Sequence, residues 1–213
     1  MSDPFEQLIP DARSFLSELA ENNTRDWFTD QKKRYDADLK TPATLLLEQF
    51  AQSIGPGTGT KLFRPHRDVR FSKDKTPYHT HLHMLWKLPG DGPQTPGFFF
   101  GIAPDYVSVG GGVMGFEKTA LTNWRNAVDG PSGAKLEDLL GGLVAGGMRV
   151  GEPDLKRVPA PFDKEHPQGD LLRRKSLTIW RDLPDARFSD PLAALGETHA
   201  ELQPFFETLD QML

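Results

Sequence analysis

Cysteine is missing from all 213 residues. Its absence excludes disulfides, thiolate metal sites and a cysteine nucleophile. No Gly-x-Ser-x-Gly element occurs, so the strained serine turn of the α/β-hydrolases is missing as well. No apolar run approaches the roughly eighteen residues of a membrane span. There are no internal repeats and no low-complexity tract. The start, M-S-D-P-F-E-Q, has neither a basic n-region nor an apolar h-region. The expectation is a cytoplasmic protein without a signal peptide and without a membrane partner.

What the chain does have is an uneven distribution of charge. Its net charge is -5, yet Lys61 to Lys87 holds seven Lys/Arg against two Asp, a local +5, which leaves -10 for the remainder. An acidic body with one basic segment argues against broad coating of nucleic acid. It favours a focused site for a small anion or an acidic partner. The pI of about 5.7 points the same way.

Apolar periodicity fixes the fold class. Ala12, Phe15, Leu16 and Leu19 share one helical face over residues 11–21. Asn23 reads as the N-cap of a second helix, with Asp26 as the distal half of a capping box. Thr41-Pro42 reads as the cap of a third, running to about Ser53. Beyond the Gly55–Thr60 loop the pattern turns extended. Val69 and Phe71 alternate with Asp68, Arg70 and Ser72, predicting a strand; Lys73–Pro77 is a turn and His79–Leu88 the next strand. Phe98–Ala103 and Tyr106–Val113 predict a hairpin. Helices follow at 119–128 and 134–144, an extended stretch at 148–158, a proline-rich loop at 159–169, and a short helix or turn leading into a strand through Leu177, Ile179 and Trp180. The tail from Pro191 to Leu213 is helical, with Pro204 expected to kink or divide it. The prediction is an α+β fold: one domain over 1–213, an antiparallel sheet with helices packed mainly on one face.

Chemistry concentrates in Arg64–His83, which holds three Arg, two Lys, two Asp and four His. On a strand, Arg64, His66, Asp68 and Arg70 share a face. Arg67, Arg70, Lys73 and Lys75 are candidates to bind an anion, since guanidinium forks match phosphate or carboxylate and lysine adds a point charge. Asp68 and Asp74 would orient those cations, and Ser72 and Trp27 complete the candidate ligand site. His81 and Tyr78 are the candidate acid/base groups. The alternative for the same cations is that Asp68 and Asp74 simply pair with them to fix a turn. His79, His81 and His83 fall at i, i+2, i+4, on one strand face about 7 Å apart. That spacing allows a metal but does not demand one, because alternate residues diverge on a twisted strand; no metal is assigned and no cofactor is implied. Gly110-Gly111-Gly112 lacks the context of a dinucleotide fingerprint. It reads as a turn, or else as a close backbone approach.

These strings carry a resemblance. N-N-T-R-D-W-F (22–28), R-D-V-R-F-S-K-D-K-T-P-Y (67–78) with His81, G-G-G (110–112) and P-A-P-F-D-K-E-H-P (159–167) are similar to a conserved hypothetical family of bacteria and fungi, domain of unknown function 2461, over roughly residues 13–185. The resemblance implies one compact domain. It implies no activity. It marks Asn23, Trp27, Phe28, Arg67, Asp68, Arg70, Phe71, Ser72, Lys73, Asp74, Lys75, Pro77, Tyr78 and His81 as family positions; His79 and His83 lie outside the string. Two functions follow as expectations. The first is binding of a small anionic ligand, phosphorylated or not, at segment 64–83, with His81 and Tyr78 as the acid/base candidates if there is catalysis. The second is a non-enzymatic protein-interaction module built on the same charged hairpin. Nucleic acid ranks last, because aromatic residues do not interleave with the basic ones.

Overall fold

In the computed structural model, residues 5–213 are described; the opening M-S-D-P of the N-terminal stretch read above lies outside them. The fold is α+β, built on a six-stranded antiparallel sheet. Its strands are β1 (Gly59–Leu62), β2 (Leu82–Lys87), β3 (Gly97–Ile102), β4 (Val107–Val113), β5 (Arg149–Val150) and β6 (Leu177–Asp182), in the order β1-β2-β3-β4-β6-β5. The helices are α1 (Leu8–Glu21), α2 (Arg25–Arg34), α3 (Thr41–Ile54), α4 (Lys118–Val128), α5 (Pro131–Ala145), α6 (Gly169–Leu172) and α7 (Pro191–Met212). Two compact units divide the chain. One holds 1–86, 99–109 and 182–197, and the other holds 87–98, 110–181 and 198–213.

In the first unit, α1 buries Ala12, Phe15, Leu16 and Leu19, the face expected from their spacing. Arg34 of α2 clamps Glu18 of α1 with bonds of 2.6 and 2.8 Å. The buried Trp86 indole on β2 donates to the Leu47 carbonyl of α3 at 2.9 Å. Its ring meets Phe50 edge-on at 5.1 Å. Two helix starts differ from expectation. Thr24, not Asn23, caps α2, accepting from the Trp27 amide at 3.3 Å. Thr41 caps nothing: the chain passes from α2 through a π-helical turn, Tyr35–Lys40, straight into α3. Pro42 brings no amide to the helix, and the Thr41 hydroxyl donates to the Asp36 carbonyl at 2.8 Å within this wider turn.

Asn23 is engaged elsewhere. Its side-chain amide accepts from the Tyr78 N–H at 3.1 Å and donates to the Tyr78 carbonyl at 3.0 Å. One side chain thus satisfies both polar groups of a residue 55 positions away. Tyr78 in turn stacks on Phe28 with centroids 4.1 Å apart, an arrangement worth about 0.5–1.5 kcal/mol beyond the area buried. The strand expected through Val69 and Phe71 does not form. Only His66 and Tyr78 make an isolated antiparallel bridge, and residues 67–77 project as a loop. The alternation there comes from a charged loop, not a pleat: Phe71 is 95% exposed.

In the second unit, Trp124 of α4 is fully buried and donates to the Leu171 carbonyl at 3.1 Å. Gly110, Gly111 and Gly112 lie inside β4, not in a turn. A Cβ on Gly110 or Gly112 would strike the carbonyls of Ile179 and Leu177, and one on Gly111 would enter the Phe206 ring. Close approach is therefore the reason for this glycine run. Of the stretch expected to be extended, only Arg149 and Val150 pair, with Trp180 and Ile179 of β6. Pro204 does not divide the last helix, which runs unbroken from Pro191 to Met212.

Asn23→Ala leaves both Tyr78 backbone groups without their partner, so a loss of roughly 1–3 kcal/mol is expected. Asn22→Ala, which removes one exposed bond to the Glu18 carbonyl, should cost less. Urea denaturation of the two variants checks this; equal losses would show that the Asn23 bridge has no special weight.

Candidate functional site

The site segment starts at β1 and returns along β2. Pro65 to His79 is closed by backbone bonds, Arg67 N–H to the Pro77 carbonyl at 2.9 Å and His79 N–H to the Pro65 carbonyl at 2.7 Å. Within it, the loop satisfies its own charges. Arg67, 23% exposed, donates to Asp74 at 2.5 Å, to the Thr76 carbonyl at 3.2 Å and to the Thr76 hydroxyl. Asp74 also accepts from the Thr76 amide at 2.9 Å. That N–H, with Arg67 beside it, holds the Asp74 carboxyl down to about 2. Asp68 accepts the Arg70 guanidinium at 2.7–3.2 Å and the Arg70 backbone N–H at 3.2 Å, which, with the charge of Arg64 nearby, lowers its carboxyl below the usual range. Lys75 donates to the Val69 carbonyl at 3.0 Å, which also takes the Ser72 amide at 3.3 Å. Lys73 is exposed, with no carboxylate against it among the described residues. Trp27 packs on Phe15 at 5.5 Å, away from the loop's polar network.

The histidines continue the alternation of β2. Leu82, Met84 and Trp86 are buried; His79, His81 and His83 occupy the other face. Their rings come closer than strand spacing alone requires, with centroids 4.7 Å apart for His79–His81 and 3.7 Å for the nearly parallel His81–His83. Face-to-face rings point their in-plane lone pairs alongside one another, not at one ion. Among the described residues no three His, Asp or Glu side chains are grouped to hold a metal. Burial pulls all three imidazoles below their ordinary range. Arg67 adds to this at His79, and neighbouring histidines add to it at His81 and His83, the last falling to about 4. His83 Nε2 lies 2.7 Å from the Tyr106 hydroxyl. Tyr106, itself held protonated by burial, is the natural donor, and the ring proton of His83 then sits on Nδ1.

A cleft of about 550 Å³ opens beside this stack, lined by Lys61, Leu62, Phe63, Arg64, His66, Asp68, His79 and His81. Of the sequence-predicted residues it takes in Asp68 and His81. Arg67, Arg70, Ser72, Lys73, Asp74, Lys75, Tyr78 and Trp27 do not line it. Lys61 and Arg64, which lie outside the motif string, are exposed there, and neither is hydrogen-bonded or ion-paired to a carboxylate among the described residues, although Arg64 lies close enough to Asp68 to lower its carboxyl; the Lys61 ammonium sits 4.4 Å from the Phe63 ring centre. Arg64 and His66 were legible as members of the dense segment, but Lys61 carried no signal beyond its charge. A second lobe of about 330 Å³ shares Leu62, Phe63, Arg64 and His66 and adds Phe28, Tyr35, Asp36, Lys40 and others.

The string at 159–167 lines a separate cleft of about 420 Å³ in the second unit, with Lys156, Arg157, Lys164 and Arg173 on its walls. There His166 is fully engaged: Nδ1 accepts the Gln168 amide at 3.0 Å and Nε2 meets Asp129 at 3.1 Å. Its role is to hold the loop.

Against known families, the conserved hypothetical protein family DUF2461 matches residues 11–207. The chain belongs to this family. The match runs past the 13–185 read from the motifs and into α7. No curated protein and no solved structure matches the chain. Among the described residues, no helix is long and apolar enough to cross a membrane. Within the family string, Asn23, Phe28, Arg67, Asp74 and Tyr78 do structural work that its motif pattern alone does not reveal.

Two outcomes are expected. Chymotrypsin should cut after the exposed Phe71, and Arg67→Ala should speed that cut by loosening the loop, whereas Arg70→Ala, which loses an exposed pair with Asp68 and a contact over the Phe71 ring at 5.8 Å, should change it less. For His83 the folded value is about 4 against 6.5 for the free side chain, so below pH 6.5 the unfolded chain binds a proton that the folded one does not. Stability should therefore fall as pH drops from 6.5 towards 4, and His83→Gln should flatten that slope in denaturant melts.

Proposed function

We propose that the protein binds a small anionic ligand, phosphorylated or carboxylated, in the cleft beside β1 and the histidine stack. The observation that carries this reading is the separation of two sets of cations. Arg67, Arg70 and Lys75 are engaged by Asp74, Asp68 and the Val69 carbonyl. Lys61 and Arg64 face a cleft of about 550 Å³ with no carboxylate hydrogen-bonded or ion-paired to them among the described residues; the nearby Asp68 feels the charge of Arg64 but is itself bonded to Arg70. That volume falls in the range of roughly 300–1,000 Å³ common to small-molecule sites. His66, His79 and His81 supply further donors at its wall, and Asp68 marks the edge where the loop begins.

If chemistry accompanies binding, His81 is the acid/base group placed to take part, since its ring reaches the cleft. Tyr78 is stacked beneath Phe28 and serves as an anchor. The second reading, a protein-interaction module, has one observation in its favour: Phe71, 95% exposed, stands on a loop fixed by its own hydrogen bonds.

Titration calorimetry with sulfate, whose charge is constant between pH 8 and 6, tests the anion reading. A bound anion favours imidazolium, so affinity should rise as pH falls and binding should take up protons. Arg64→Ala should weaken binding about tenfold or more, and Arg70→Ala should leave it intact. The reverse ranking, or no anion binding with both variants folded, would move the function to the Phe71 loop.

A further inference from the structure

The other compact unit carries a cleft of its own, and the string at 159–167 forms part of its wall. At about 420 Å³ it has the size of a small-molecule site. Four cations line it, Lys156, Arg157, Lys164 and Arg173, against two carboxylates, Glu165 and Asp170. Arg173 is ion-paired to Asp170. Lys156, Arg157 and Lys164 are exposed, and among the described residues none is hydrogen-bonded or ion-paired to a carboxylate; Glu165 is not ion-paired either. Unpaired cations scattered over a convex surface are ordinary. Three on the wall of one cleft differ from them, because a low-dielectric cleft concentrates the field of its lining charges. The backbone that carries them is pinned. Leu155, next to Lys156, donates its N–H to the Arg173 carbonyl at 2.9 Å. Lys164 stands in a turn where Asp163 accepts the Glu165 N–H on its carboxylate at 2.9 Å and the His166 N–H on its carbonyl at 3.2 Å. His166 is held in turn by Asp129 and the Gln168 amide. Of the string's charged and titratable side chains, Asp163 and His166 are thus spent on the loop, and Lys164 and Glu165 are left to the cleft.

We propose that this cleft is a second anion site, for a compact oxyanion carrying two or more charges, a condensed phosphate or a polycarboxylate. Lys156, Arg157 and Lys164 donate to its oxygens. Arg173, shared with Asp170, adds charge at the wall. The multiple charge follows from exposure. A single charge gains little against one solvated cation, whereas an ion that meets three at once sums those gains on a backbone already ordered. Glu165 opposes the same ion, so its neutralisation acts in the opposite direction to loss of a cation. This site shares no residue with the histidine cleft, and the two readings stand or fall separately.

Calorimetry with pyrophosphate, citrate and acetate tests this at about 0.15 M ionic strength, where exposed charges more than roughly 8 Å apart are screened. Pyrophosphate or citrate should bind and acetate should not; the tighter of the two names the class. Arg157→Ala and Lys164→Ala should each weaken that binding about tenfold or more. Glu165→Gln should tighten it about two- to fivefold. Lys175→Ala removes an equal charge from the same unit outside the cleft and should leave it unchanged. All four positions are exposed, and thermal melts establish that each variant is folded. Binding retained in Arg64→Ala and lost in Arg157→Ala supports this site whatever the histidine cleft does. A second equivalent of anion, lost only in Arg64→Ala, would support both sites. Binding lost only in Arg64→Ala would overturn this site and leave the anion reading of the histidine cleft standing. Equal losses in Lys175→Ala and Lys164→Ala would reduce the effect to net charge and overturn the site, as would acetate binding as tightly as pyrophosphate, or no binding by any of the three probes.

Discussion

Asn23 holds Tyr78 by both ends of one peptide-like amide, and the site's geometry follows from that grip. Tyr78 precedes the alternation of β2. With its N–H and carbonyl fixed at 3.1 and 3.0 Å, and its ring on Phe28, the register of the following residues is set. Leu82, Met84 and Trp86 then point to the core, and His79, His81 and His83 to the other face. A slip by one residue would exchange those faces, burying three imidazoles and exposing a tryptophan. The constraint is local in space but long in sequence, so it also ties α1 and α2 to the strand that carries the site.

The density of charge in residues 67–77 has a different cause from the one that charge density first brings to mind. A loop that leaves the sheet must find partners for its backbone groups from its own side chains. Lys75 takes the Val69 carbonyl, Asp74 the Thr76 amide, Asp68 the Arg70 amide and Arg67 the Thr76 carbonyl. The charged residues of the motif are thus largely the loop's framework. Among the cations without an ion-paired carboxylate, Lys73 stands on the loop itself, while Lys61 and Arg64, which line the cleft, sit just before it in sequence.

That division explains what could and could not be read from the sequence. Elements with a buried stripe were legible: α1 from Phe15, Leu16 and Leu19, and the hairpin of β3 and β4 from alternation about Pro104-Asp105. The α2 cap was off by one, since Asn23 and Thr24 are both good caps and only the distant Tyr78 decides between them. Alternation of Val69 and Phe71 imitated a strand because a charged loop and a half-exposed strand share a pattern. Pro204 was tolerated within α7, where Leu202, Phe205, Phe206 and Leu209 are buried on either side of it. Packing there outweighs the local cost of proline. For the candidate site, the dense segment stood out by composition, but which of its cations face a cleft depends on which are engaged by neighbours, and partner choice is not a property of composition.

The stacked histidines bear on the anion proposed for this cleft. Three imidazoles in succession, with neighbouring rings 4.7 and 3.7 Å apart, cannot all carry charge without mutual repulsion. Burial pushes the same way, and His83 is further fixed as an acceptor by Tyr106. The cleft is therefore less positive than its residue content implies, with fixed positive charge only at Lys61 and Arg64 and the Asp68 carboxylate set against them. In the proposed complex an anion would reverse the balance: it would favour protonation of His79 and His81, the two rings at the wall, while His83 stays neutral behind them. The positive charge of the site then grows with the negative charge of what it holds, so a dianion gains more than a monoanion. A wall of lysines, charged in every state, would offer no such discrimination.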